Sequence, residues 1–177
     1  MSSAPATRLR LGALSFAAGL HFAIVQTAYF LLLEARLSSR ASSYFLAVLF
    51  WLVGLFLGIR LAGPRGFGAA LTAGLLAYQA AHRLAAWAPF HPALYVAVGL
   101  GAVVSGASSG VFFRFIARRY APIRSPLFHE NNGFVLGLLI ALRGATHFGG
   151  ALLAYGPAVT LALVALLLLV VPPRSAE

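Results

Sequence analysis

The sequence contains no cysteine, no lysine and no aspartate, and Glu34, Glu130 and Glu177 are its only acids. The missing cysteine excludes disulfides, thiolate metal sites and cysteine nucleophiles. Three scattered glutamates leave no acidic catalytic cluster, and no glycine-rich nucleotide loop is present. Charge of either sign is scarce: 9% of residues, against about 25% in a soluble domain. What fills the chain is apolar. Of 177 residues 61% are hydrophobic, and mean hydropathy is +0.91, above the roughly 45–50% apolar content of soluble proteins. These values describe an integral membrane protein forming a single transmembrane domain. The net charge of +10 does not point to nucleic acid, because the arginines stand at the ends of apolar runs and form no basic–aromatic stripe outside them.

Six apolar runs are near the length needed to cross about 30 Å of hydrocarbon: residues 11–33, 44–61, 67–86, 93–116, 126–155 and 157–171, the sixth being short for a span that starts at its proline. The first continues too far for a signal-peptide core, so a retained span is expected. The predicted fold class is all-α, a polytopic bundle of six transmembrane helices. Arginines set its orientation. Arg8, Arg10, Arg60, Arg65, Arg114, Arg118, Arg119, Arg124 and Arg174 fall on one side, and Arg36 and Arg40, beside Glu34, on the other. The positive-inside rule then makes both termini cytoplasmic. Tyr29, Tyr44, Trp87, Tyr95 and Tyr155 are expected to form a belt at the outer interface.

The fifth run carries an arginine and a histidine in mid-span, and the chain is expected to be organised around it. On a helical wheel Asn132, Leu139, Arg143, Thr146, His147 and Gly150 share one face, while Gly133, Gly137 and Gly144 share the adjoining one. Ser125 and Pro126 read as its cap and first turn. A charge inside a span rarely faces lipid, so the arginine face is expected to line a polar interior. Gln79, His82 and Arg83 on span three, and Gln26 on span one, lie at similar depth in the outer half. Gln26, Gln79, His82, Arg83, Asn132, Arg143 and His147 are therefore the candidate ligand-binding residues. With no acid near Arg143, the cavity they form would favour a small anion or a partner's carboxylate. The competing reading is that these groups only cross-link helices, with Arg83 snorkelling to the headgroups. On span four Ala93, Ala97, Gly101, Ser105 and Ser109 recur every four residues, which predicts a central helix with a closely packed small face.

Three further constellations carry chemistry. GASSG (residues 106–110) followed by THFGG (146–150) is similar to the serine and histidine motifs of rhomboid proteases, with Ser108 or Ser109 as nucleophile and His147 as base. The two motifs here lie on consecutive spans, whereas rhomboids place a whole helix between them. His21 and His147 could face each other across a b-type haem, although His21 lies off the polar face; no cofactor is assigned. His129, Glu130, Asn131 and Asn132 look like a metal cluster, but adjacent helical side chains diverge, and hydrogen bonding at a helix start suits them better.

Four segments resemble the membrane part of bacterial membrane-bound spermidine synthase-like proteins. GLHFAIVQ (residues 19–26) resembles their first span, SSYFLAVLFWLVGLFLGIRL (42–61) their second, SGASSGVFFRFIARR (105–119) their fourth and LFHENNGFVLGLL (127–139) their fifth. The resemblance implies a half-transporter of major facilitator design. GIRLAGPRGFGAAL (58–71) looks like a reduced form of those transporters' second-to-third-span loop motif, without its acidic residue. The family's first-span glutamate is Gln26 here, and no aminopropyltransferase domain is present in the sequence, so spermidine synthesis is not carried over. The expectation is a non-catalytic module in the lipid bilayer. Its partners would be other membrane subunits, a second copy of itself or a small anionic ligand.

Overall fold

The computed structural model describes residues 5–37, 41–61, 63, 66–118 and 123–170. Six helices occupy them: α1 (Pro5–Arg36), α2 (Ala41–Leu61), α3 (Phe67–Trp87), α4 (Ala93–Ala117), α5 (Arg124–Phe148) and α6 (Gly150–Val170). At 1.5 Å per residue the shortest is about 31 Å long. Four are long and apolar enough to cross a membrane: Thr7–Arg36 within α1, α2, α4 and α6. α3 and α5 have the length, but their polar residues lower their hydropathy. The protein is all-α, and its composition and helices are those of a multi-pass membrane bundle.

Two pairs of parallel helices pack at glycine contacts. In α1/α5, a Cβ added to Gly133 would strike the carbonyl of Phe16, one added to Gly137 would lie 2.7 Å from that of Leu20, and one on Gly19 would strike that of Glu130. In α2/α4, Gly54 and Gly58 press on the carbonyls of Val103 and Ala107. Gly106 and Gly110 press back on those of Trp51 and Leu55. Both interfaces are reciprocal, with glycines of each helix against the backbone of the other. The stripe predicted on span four lies beside this interface: its Gly101 and Ser105 meet Tyr29 of α1 and Gly74 of α3, while the neighbouring Gly106 and Gly110 meet α2.

The hub, however, is α1. It packs on each of the other five helices, and its Leu14, Ala18, Ala23, Tyr29 and Leu33 are fully enclosed. Around it Phe22 meets Trp51 and Phe112 edge-on, and Phe67 joins Phe112 to Phe115. α5, expected to be the organising element, is instead an outer helix packed on α1 and α6.

Contacts fix the up-and-down order. α6 runs antiparallel to α1, with Arg10 reaching the Val170 carbonyl at one end and His21 meeting Thr160 farther along. The described ends of the chain are therefore on one side of the bundle. Arg8, Arg10, Arg60, Arg114, Arg118 and Arg124 collect at that end, where two of them hold helix termini. Arg114 donates to the Ile59 and Arg60 carbonyls at the end of α2 (3.0 and 3.3 Å), and Arg10 donates to the last carbonyl of α6 (3.3 Å). Such contacts satisfy carbonyls that a helix leaves open and suit its negative pole. Arg40, Arg65, Arg119 and Arg174 lie outside the described residues.

The break between the last two helices falls at Gly149, not at Gly156–Pro157. Gly149 has φ +49°, a conformation natural to glycine, and an adjoining Gly150 weakens the helix further. Pro157 lies inside α6. At the other end of α5, Ser125 makes no cap: the helix starts at Arg124 without a side-chain cap bond. Pro126 occupies the third position, where no intrahelical N–H partner exists. The aromatic belt also loses a member, since Tyr29 is fully buried while Tyr44, Trp87 and Tyr155 are exposed.

The glycine contacts generate a paired test. Gly106→Leu should lower thermal stability in detergent by at least about 1–3 kcal/mol, the ordinary range of overpacking, because its side chain meets backbone. Gly68→Ala meets only Leu168 at 4.0 Å and should be neutral or stabilising by up to about 1 kcal/mol. Equal melting of both variants would contradict the glycine interface.

Candidate functional site

The bundle interior is closed by hydrogen bonds between helices. His21 Nδ1 meets Thr160 Oγ1 at 2.9 Å, joining α1 to α6. Tyr29 Oη meets Ser105 Oγ at 3.0 Å, and Ser105 donates to the Gly74 carbonyl at 2.9 Å, joining α1, α4 and α3. Tyr78 donates to the Leu153 carbonyl (2.8 Å) and Gln79 to that of Ala154 (3.0 Å), joining α3 to α6. Among the described residues, no enclosed side-chain nitrogen or oxygen lacks a partner.

The Tyr78 bond answers a local need. Pro157 has no N–H for the carbonyl four residues back, which is Leu153. An apolar helix cannot leave that acceptor to water, and the phenol replaces the missing donor. This explains how α6 accommodates its proline. Tyr78 and Thr160 are hydrogen-bonding groups of the interior that the sequence reading does not single out, and Tyr29 and Ser105 join helices instead of serving only as a belt residue and a small-face residue. A proline within an apolar run was the available signal, since it demands a donor from elsewhere.

The seven expected site residues do not share a cavity. Gln79 is committed to α6 as described. His82 is half-buried and stacks on Tyr78, ring centroids 6.1 Å apart; Gln26 is half-buried on α1. Arg83, Asn132, Arg143 and His147 are exposed. The interior placement of Arg143 is therefore corrected: α5 turns Pro126, Glu130, Gly133, Gly137, Ala141 and Gly144 inward and its polar stripe outward. The reason is close packing. Two adjoining faces competed for α1, and only the glycine face lets the backbones approach to carbonyl contact.

The shifted helix break also changes the depth of Arg143. It stands five residues before the end of α5, about 7.5 Å along the axis, not in mid-span. Asn132 donates to the Phe128 carbonyl (2.8 Å) on the same helix. His147 Nδ1 lies 2.9 Å from the Arg143 carbonyl and 3.0 Å from Thr146 Oγ1. The Arg143 guanidinium makes no hydrogen bond or ion pair with any described residue. Glu130 is 13 residues earlier on the inward face, about 20 Å away along the helix.

The constellations with chemistry are not assembled. Ser108 and Ser109 donate to the Ser105 and Gly106 carbonyls of their own helix (2.6 and 2.7 Å), and His147 faces outward on α5. His21, buried against Thr160, does not face His147 across a gap. His129 packs its ring over Gly12, 3.1 Å from where a Cβ would stand, while Glu130 turns toward α1. No group of three potential metal ligands occurs among the described residues. The chain matches no protein-family model, no curated protein and no solved structure.

The proline lock yields a double-mutant test. Tyr78→Phe should cost about 1–3 kcal/mol by leaving the Leu153 carbonyl unpaired. In a Pro157→Ala background the restored N–H takes that carbonyl, and the same substitution should cost at least about 1 kcal/mol less. Additive effects on thermal unfolding would mean that the phenol is not replacing the missing donor.

Proposed function

We propose that this protein is a non-catalytic multi-pass module of a bacterial cytoplasmic membrane that serves as an accessory subunit of a larger membrane assembly. The observation that carries this reading is the closed interior: His21, Tyr29, Tyr78, Gln79 and Ser105 tie helix to helix, Ser108 and Ser109 bond within their own helix, and the seven residues expected to line an anion path do not converge on one passage. A half-transporter would need polar groups converging on a passage; a scaffold subunit needs the rigid cross-linking described above. The resemblance to the membrane half of spermidine synthase-like proteins agrees with a module without its own catalytic centre.

In this reading all six helices cross the bilayer, and both termini are cytoplasmic. The arginine-rich end supports that orientation by the positive-inside rule. A single introduced cysteine is a unique reporter in a chain with none. Pro89→Cys, between α3 and α4, should react with an impermeant maleimide on intact cells. Ser125→Cys, at the start of α5, should react only after the membrane is opened. The reverse pattern would invert the topology.

The accessory role is checked by size and by transport. In mild detergent extracts of its native membrane, the protein should migrate on native gels well above the size of a lone 18.6 kDa chain, with at least one other membrane protein in fixed ratio. Purified and reconstituted into liposomes, it should add nothing to the passive flux of chloride or phosphate. A monomer that conducts anions would overturn the proposal in favour of the half-transporter.

A further inference from the structure

Arg143 and His147 stand at the mouth of a trough. Where α5 and α6 separate below their turn at Gly149, they leave a cavity of about 480 Å³ with Arg143, His147 and Phe148 in its wall. A second cavity of about 280 Å³ continues along α6 past Gly156, Val159 and Thr160. The two adjoin across Ile140, Phe148 and Leu152, which line both. Apart from the two cationic or polar side chains at the mouth, the walls are mainly apolar.

The dimensions match an amphiphile standing in one leaflet. Arg143 lies about 7.5 Å from the end of α5, a depth from which an arginine snorkels to the headgroups. Val159 is nine residues into α6, so the trough descends about 14 Å, roughly half of the hydrocarbon thickness of about 30 Å. Its mouth is polar and its floor apolar, which is the polarity profile of a phospholipid from phosphate to mid-chain.

Charge selects the headgroup. The Arg143 guanidinium is unpaired among the described residues, and His147 has one ring nitrogen engaged with backbone and Thr146, leaving Nε2 without a hydrogen bond. Glu34, the acid nearest this end of the bundle, is an exposed residue of α1. A planar guanidinium fork fits two phosphate oxygens. A second copy of the chain is a poor occupant, because in the same membrane orientation it would set another Arg143 and His147 at this depth.

We propose that the α5–α6 trough is a binding site for an anionic phospholipid, with the phosphate on Arg143 and His147 and one acyl chain along Ile140, Leu152 and Val159. The inference rests on the membrane reading of the chain but not on its accessory role.

Nanodiscs with equal phosphatidylglycerol and phosphatidylcholine, followed by native mass spectrometry of the released protein, test the site. The protein should retain one phosphatidylglycerol in preference to phosphatidylcholine. Arg143→Gln should cut that retention about tenfold, the scale of one charge-assisted contact, and Arg143→Lys should restore part of it. Val159→Trp, at a residue 67% exposed, should also lower retention by filling the floor while melting like the parent. Equal retention of both lipids would overturn the headgroup assignment. Unchanged retention in Arg143→Gln and Val159→Trp would overturn the site itself. A photo-crosslinker at Leu139 that captures protein instead of lipid, in native membranes, would give the trough to a partner helix and end the lipid proposal. Release of the protein from membranes by alkaline carbonate would instead refute the membrane reading.

Discussion

The structure depends on how closely two helix backbones can approach. In lipid the usual hydrophobic drive between helices is missing, because a leucine is as well solvated by acyl chains as by another helix. Attraction then comes from dispersion over short distances and from hydrogen bonds. The α1/α5 and α2/α4 pairs meet this condition in the same way. Each brings glycine against carbonyl, and each is reciprocal. A single Cβ at Gly133 or Gly106 would separate the axes and weaken the whole interface.

Hydrogen bonds then tie the pairs together. His21–Thr160, Tyr29–Ser105–Gly74 and Tyr78–Leu153 each cross a boundary outside the α1/α5 and α2/α4 pairs. With α1 at the centre, these bonds converge on one element and its immediate neighbours. The Pro157 site shows how the two kinds of force are linked. A residue that breaks the internal ladder of α6 creates an acceptor, and that acceptor becomes a tether for α3.

Much of this was legible in the sequence. The apolar runs identify the helices, mostly to within a few residues, and small residues every four positions mark α4 as a close-packing helix. The arginine distribution agrees with the single arginine-rich end of the bundle. Two things were not legible. The wheel of α5 offers a glycine face and an arginine face side by side, and periodicity does not say which is turned inward; that depends on partners 117 residues earlier, Phe16 for Gly133 and Leu20 for Gly137. The apolar runs put the boundary between α5 and α6 just before Pro157, although the sixth run is short for a span that starts there. A phenol on α3 lets the helix run through that proline, and the φ of Gly149 ends α5 instead. Both failures moved Arg143 in the same direction, from the middle of the bundle to its outer edge.

The glycine pairs have a bearing on biosynthesis. Neither joins helices adjacent in sequence: α1 waits for α5 and α2 waits for α4. A ribosome delivers helices in order, so α1 and α2 enter the bilayer with their carbonyl-lined grooves still unmatched. The last carbonyls of α2 likewise wait for Arg114, synthesised more than fifty residues later. Chain assembly is therefore not a series of finished hairpins. It is a holding pattern that closes late, when α4 and then α5 arrive, and a chain interrupted before that point leaves its most adhesive surfaces open to whatever helix is nearby.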